Sequence, residues 1–205
     1  MKKHFVSNSR ESTRMFKSNF LESLSKVHYS VPLFIYIPVI VYFSWRALAV
    51  MHVSALEFIL SFAAGIAFWT LTEYVLHRFV FHFVPKSAWG QRLHFLFHGV
   101  HHDYPSDAMR LVLPPSVSIP LATGFFFLFN AIIPEVYLYS FFSAFMLGYL
   151  VYDITHYALH HATFQNAFWK KLKHHHMLHH YTDPNKGYGV SSALWDKIFR
   201  SDFEK

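Results

Sequence analysis

Four stretches of this chain are long and apolar enough to need a lipid surrounding, and they limit its fold more than any other feature. The clearest is Leu111 to Ile133, 23 residues without a charge. A helix needs about 20 apolar residues to cross a bilayer. In hydrocarbon, only a helix or a closed barrel satisfies every backbone amide and carbonyl internally. Val31 to Val50 is apolar except for Arg46, placed near one end where its guanidinium can reach the headgroups. Leu56 to Leu76 contains Glu57 and Glu73, which leave a charge-free run of only 15 residues from Phe58 to Thr72, so the two carboxylates are expected to mark its ends. Val136 to Tyr152 follows the tight turn at Pro134-Glu135. The helical pattern continues past Glu73 to His77 and near His82, and past Tyr152 through Asp153, His156 and His160. Both helices should therefore project beyond the bilayer. The expected fold is all-α: an integral membrane protein with four transmembrane helices and a cytosolic, histidine-rich helical cap.

The remaining sequence fits this plan. Hydrophobic residues make up 53% of the chain and charged residues 15%, a balance more apolar than soluble domains show. We divide the chain into a basic arm over 1–28 and a membrane domain over 29–205. The arm scatters Lys2, Lys3, Arg10, Arg14, Lys17 and Lys26 among serines and carries no cleavable-signal pattern. It is expected to be flexible or to lie on the surface, with Phe16, Phe20, Leu21 and Leu24 in the membrane interface. With four spans, 17 of the 18 Lys and Arg residues fall on one face, Arg46 alone lying towards the other. The positive-inside rule makes that face cytoplasmic. It also accounts for the formal charge of +6, and no nucleic-acid module is present, so no nucleic-acid partner is expected.

Histidine sets the chemistry. Fourteen of the 17 lie between residues 77 and 180, all on the basic face, and five fall within Lys173 to His180. The chain has no cysteine, so a transition metal must be held by nitrogen and oxygen. His98, His101 and His102 read H-x2-H-H, as do His176, His179 and His180, while His156 and His160 are four apart. Residues three or four apart share a helix face. Neighbours such as His101 and His102, or His179 and His180, diverge by ~100°, which points to two metals. His77 and His82 diverge by ~140° on a regular helix, so they serve different metals or need a break between them. His4, His28 and His52 stand apart and read as ordinary surface or hydrogen-bonded residues. A structural zinc takes four ligands and a catalytic zinc three plus water, so ten or more histidines exceed one site. A histidine-dominated iron pair that activates oxygen fits better. Glu73 and Asp153 lie four and three residues before a clustered histidine, a spacing suited to carboxylates that orient an imidazole from behind.

Taken with their flanking residues, these segments resemble the fatty acid hydroxylase superfamily. The likeness lies in His77-Arg78-Phe79-Val80-Phe81-His82, His94 to His102, Arg110-Leu111-Val112-Leu113-Pro114-Pro115, Tyr152 to His161 and Gly187-Tyr188-Gly189-Val190. It is greatest to the catalytic domain of fatty acid 2-hydroxylases. The resemblance covers roughly 30 to 200 and implies a di-iron oxygenase that hydroxylates C2 of a long acyl chain, free or within a sphingolipid such as ceramide, using molecular oxygen and two electrons. Its metal ligands fall on His77, His82, His98, His101, His102, His156, His160, His176, His179 and His180. It places His94 and His161 behind them, and His174 and His175 outside the pattern. Two iron ions are the implied cofactor, with zinc able to occupy the same sites in purified protein. Eukaryotic members often carry a fused cytochrome b5 domain that these residues lack. A separate electron donor is therefore expected, such as cytochrome b5 or a ferredoxin with its reductase, and a bacterial inner membrane is favoured over endoplasmic reticulum. The other readings are a sterol or carotenoid hydroxylase or desaturase of the same superfamily, and a non-enzymatic zinc-binding membrane protein. The last would place acidic or histidine residues along a path across the spans.

Overall fold

The computed structural model describes residues 5–203, so Lys2, Lys3 and His4 lie outside the described residues. Within them the regular structure is helical throughout. A short α1 (Asn19–Leu24) precedes α2 (Val31–Trp45), which closes on a π-helical turn, Arg46–Val50. The third helix, α3 (Ala55–Val75), also runs on into a π-helical turn, Leu76–Phe81. Next come α4 (Ala88–His94) with its own π-helical extension Phe95–Gly99, and α5 (Val100–Asp103). Two long helices, α6 (Pro115–Ile132) and α7 (Glu135–His161), lead to α8 (Ala167–Tyr181) and α9 (Leu194–Ile198).

The chain is an integral membrane protein whose four long apolar segments are Val31–Val50, Ala55–Phe81, Pro115–Ile132 and Glu135–His161. Glu57 is not an intrusion into its span. Its carboxylate accepts from the Ser54 amide while the Ser54 hydroxyl accepts from the Glu57 amide, closing a capping box at the first turn of α3. The second and fourth segments are 27 residues each, about 40 Å of helix against about 30 Å of hydrocarbon. About 10 Å of each is therefore free to build a cap, and the projecting ends carry His77, His156 and His160.

Helix α7 forms the centre of the bundle, buried along most of its length, with α2, α3 and α6 around it. Aromatic rings fill the contacts: Phe129 and Phe145 meet edge-on with centroids 5.0 Å apart, and Trp69 meets Phe145 at 5.1 Å. Two glycines set the close approach of α3 to α7. A Cβ on Gly65 would run into the Phe141 carbonyl, and one on Gly148 into the Trp69 ring.

The arm is better ordered than its composition suggests. The Val27 amide donates to the Met109 carbonyl at 3.0 Å and that of Ser7 to the Asp103 carbonyl at 2.8 Å, so it runs across the cap as packed chain.

Candidate metal centre

Helix geometry brings the histidines together in two ways. Along a regular helix, four residues turn by about 400°, a net 40°. His156 and His160 on α7, and His176 and His180 on α8, therefore sit one above the other. His77 and His82 use the other way. Between them the chain is π-helical, and the His82 amide donates to the His77 carbonyl at 3.2 Å. This is the five-residue hydrogen bond of a π-helix. It supplies the break that the five-residue spacing calls for, and both rings face one point.

The result is two groups of five: His77, His82, His98, His102 and His179, then His101, His156, His160, His176 and His180. Within each group one nitrogen per ring lies within 4.8 Å of all the others. These are the ten positions to which the resemblance assigns ligands. The adjacent pairs His101/His102 and His179/His180 divide between the groups. So do His98/His101 and His176/His179, three apart, because a three-residue step leaves ~60° where four leaves ~40°. The groups share a wall, where His102 and His180 stack with centroids 4.3 Å apart.

The electrostatics of these groups call for cations. Burial, followed by the neighbouring imidazoles, holds His98, His101, His102, His176 and His180 well below the usual histidine range. The same cause lowers His82 to about 2, and burial lowers His179 to about 4. The rings are therefore neutral at ordinary pH. Their Nε2 atoms nevertheless converge: His77 to His98 at 3.2 Å, His98 to His102 at 2.9 Å, His160 to His176 at 2.8 Å and His176 to His180 at 3.1 Å. His77 and His179 spend their Nδ1 protons on the carbonyls of Tyr188 and Lys186, which turns an Nε2 lone pair inward in both. The Nε2 atoms of His156 and His179 are buried with no hydrogen-bond partner among the described residues, a costly arrangement for polar atoms. A cation removes that cost. Two imidazole nitrogens about 2.1 Å from one ion and at right angles would stand about 3.0 Å apart, close to the separations found. The donor set thus fits two metal ions.

The carboxylates differ from expectation in what they hold. Glu73 accepts from the amides of Val190 and Ser191, both at 2.8 Å, and from the Ser191 hydroxyl. Asp153 accepts from the Leu113 amide and the Tyr149 hydroxyl. They fasten loops to the helices, and among the described residues no hydrogen bond joins either one to an imidazole. His94 and His161 stand outside both groups, and the His161 ring lies against Tyr157 with centroids 4.7 Å apart and planes tilted by 35°. His174 is exposed. His175 pairs with Asp196 at 3.2 Å. His28 bonds Ser30 and His52 lies in the turn before α3.

Sequence reasoning overlooked Asp196. This fully buried carboxylate accepts from the amides of Tyr188 and Gly189, the Ser201 hydroxyl and His175. It fixes the loop whose Tyr188 carbonyl orients His77. Nothing in its neighbours Trp195 and Lys197 marks it. The Gly187-Tyr188-Gly189 turn does lie beside the site, and Gly187 takes a φ of 69° there.

A cavity of ≈ 320 Å³ opens against the centre. Its lining includes His98, His101 and His156 at the histidine end and Trp69, Phe125, Phe145 and Met146 among the spans.

Comparison with known proteins agrees. The family model described as fatty acid hydroxylase matches residues 62–201. A dihydroceramide fatty acyl 2-hydroxylase of Arabidopsis thaliana is 42% identical over 192 residues, covering 93% of this chain and 80% of that protein. The fatty acid 2-hydroxylase of Mus musculus is 38% identical over 92% of this chain and 56% of its own length. A solved structure described as full-length scs7p, with only the hydroxylase domain visible, superposes with a TM-score of 0.86 at 39% identity, covering 91% of this chain and 70% of that one. Four membrane helices under a two-centred histidine cap, matched in sequence and in fold, place this chain in the fatty acid hydroxylase family.

Proposed function

We propose that this membrane enzyme hydroxylates C2 of long-chain fatty acyl groups, free or amide-linked in a sphingolipid such as ceramide, at two iron ions held by the ten clustered histidines. One observation carries the reading: two inward-facing groups of five imidazoles adjoin an apolar cavity that descends into the membrane helices. The reaction replaces a C2–H bond by C2–OH. One atom of O2 enters the product, and the other leaves as water with two electrons and two protons. Bound iron supplies the activation of oxygen. The residues of the chain do the placing. Ten imidazoles hold the ions, the Tyr188 and Lys186 carbonyls set the orientation of His77 and His179, and the cavity wall excludes water and aligns the chain.

Each group would offer an ion five imidazoles, more than the four ligands that zinc habitually takes, and a nitrogen set of that size suits iron. The relatives named as acting on fatty acyl or dihydroceramide chains support the position and the class of substrate. A metal-store reading loses ground because both groups sit at one end of the bundle. The charge count supports a cytoplasmic cap, and its exposed Lys170, Lys171 and Lys197 suit an acidic electron donor such as cytochrome b5 or a ferredoxin. The relatives named above are eukaryotic and lend no support to a bacterial membrane.

The test is turnover under 18O2. Purified protein reloaded with ferrous iron, with a reductase-coupled donor and either stearic acid or a ceramide, should yield 2-hydroxy product carrying one 18O. Oxygen-dependent product at another position of the acyl chain would favour a desaturase or another acyl-modifying relative. No product from either substrate would sink acyl C2-hydroxylation and leave the sterol or carotenoid hydroxylase and the zinc protein.

A further inference from the structure

The wall of the cavity is not built from the membrane domain alone. Met15, Leu21, Leu24 and Ser25, all before the first span, line it together with Arg110. That arginine is 6% exposed and gathers the arm onto itself. Its Nη2 donates to the Glu22 carboxylate and to the Thr13 carbonyl, both at 2.6 Å, and its Nη1 donates to the carbonyl and hydroxyl of Ser25. Glu22, 7% exposed, also accepts from the amides of Met15 and Phe16. Arg110 opens the Arg110 to Pro115 motif, for which the metal chemistry has no use. The same short loop sends the Leu113 amide to Asp153 and leads into α6 at Pro114. One loop therefore ties together the arm, the cavity wall and the helix that carries His156.

The rim of the cavity can be located. Four of its apolar lining residues are also widely exposed: Leu21 at 46%, Leu24 at 43%, Phe97 at 45% and Leu121 at 45%. They come from α1, from the turn after α4 and from α6. Leu121 belongs to a face of α6 that also exposes Leu128 and Ile132, with Phe127 exposed further round the helix, and on a membrane-spanning helix these side chains meet lipid. The opening is therefore lateral and towards the bilayer.

We propose that residues 13–27 are a strap forming one wall of the catalytic cavity, latched by Glu22, Thr13 and Ser25 on Arg110, and that a single acyl chain enters from the bilayer through the mouth between this strap and α6. In taking an acyl chain as occupant, this rests on the function proposed above. It makes the arm part of the working unit, where the sequence suggested a separate segment.

The absence of cysteine makes each introduced one unique. In nanodiscs, stearate should slow the reaction of a fluorescent maleimide with Leu24→Cys and with Leu121→Cys at least threefold. It should leave Phe127→Cys, lipid-facing but outside the cavity, unchanged. Equal rates with and without stearate at both mouth positions would overturn the portal. Protection reads occupancy whether or not hydroxylation occurs, so protection without product would sink the proposed function and keep the portal, and product without protection would do the reverse. The latch is tested by adding Glu22→Gln to Met15→Cys, with metal content confirming the fold. Labelling should rise at least threefold, and an unchanged rate would overturn the latch. If that variant fails to fold, Ser25→Ala replaces it, with the same rise expected and the same unchanged rate counting against it.

Discussion

The Nε2 atoms of His77 and His82 lie 3.2 Å apart although the residues are five positions apart, because the helix between them widens to π geometry. A π-helical turn is an α-helical turn holding one extra residue. Deleting Val80 should therefore restore α geometry with the two histidines four apart and still facing each other. Inserting an alanine after Val80 should swing His82 by ~100°. The expected result is that the deletion retains most of the metal bound by the wild type, and the insertion loses about half. Metal per chain, measured by atomic emission, checks this. Equal loss in both variants would contradict it.

The run from His174 to His176 holds three different roles. His176 is fully buried in the second group, His175 pairs with Asp196, and His174 faces solvent. His176→Ala should empty the second site and lower turnover by more than the ~10–100-fold that loss of a partner behind a ligand costs, since here a ligand itself is removed. His174→Ala should stay within twofold. His175→Ala should keep its metal while lowering thermal stability, since it leaves Asp196 short of a donor. Metal content and melting temperature, read together, separate the three.

The sequence made the four spans legible because about 20 apolar residues in a row have few other uses. The histidine faces were legible because α-helical spacing is arithmetic. The His77 and His82 pairing could only be posed as a choice, since π-helical hydrogen bonding leaves no residue pattern of its own. Glu73 and Asp153 were visible as carboxylates near ligands, yet what they hold lies 117 and 40 residues away in the chain. Glu22 carried no signal, and Arg110, 88 residues away, stood out only as the first residue of the Arg110 to Pro115 motif. Long-range pairs of single residues are set by packing, which no local periodicity records.

Asp196 supports the centre at a distance. Its carboxylate receives the amides of Tyr188 and Gly189, at 2.9 and 2.7 Å. Asp196→Ala strands both donors in a buried place, at about 1–3 kcal/mol each. With the Tyr188 carbonyl no longer fixed, His77 loses its orientation, and metal affinity at the first group should fall by about 10–100-fold. Competition with a chelator checks this. A variant that is destabilised but binds the first metal as tightly as the wild type would limit Asp196 to folding.

Gly65 and Gly148 permit the contact between α3 and α7. An alanine at either should gain about 1 kcal/mol of helix propensity and lose it again to the collision with the Phe141 carbonyl or the Trp69 ring. Overpacking of this kind costs about 1–3 kcal/mol. Both variants should melt below the wild type, Gly65→Ala the more so because backbone cannot yield as a side chain can. Gly124, whose added Cβ would meet nothing within 4 Å, is the control, and Gly124→Ala should melt at or above the wild-type temperature.

Acid should release the arm. Burial raises the affinity of Glu22 for a proton, but the amides of Phe16 and Met15, then Lys26 and Arg110, outweigh it and hold the carboxyl at about 2, below its ordinary 4.5. A freed arm therefore binds a proton that the latched arm does not. The latch is at full strength above about pH 4.5 and is lost as the pH falls towards 2. Asp107 shares Arg110 at 3.8 Å and the Thr13 amide, so a variant is needed to isolate Glu22. Pepsin cleavage at Phe16, Phe20 and Leu21 should be slow at pH 4.5 and rise several-fold by pH 2, beyond the change seen on an unstructured peptide of the same residues. Glu22→Gln should be cleaved at the faster relative rate at both pH values. A wild-type arm that resists pepsin equally at both would show that something other than the Glu22 carboxylate holds it down.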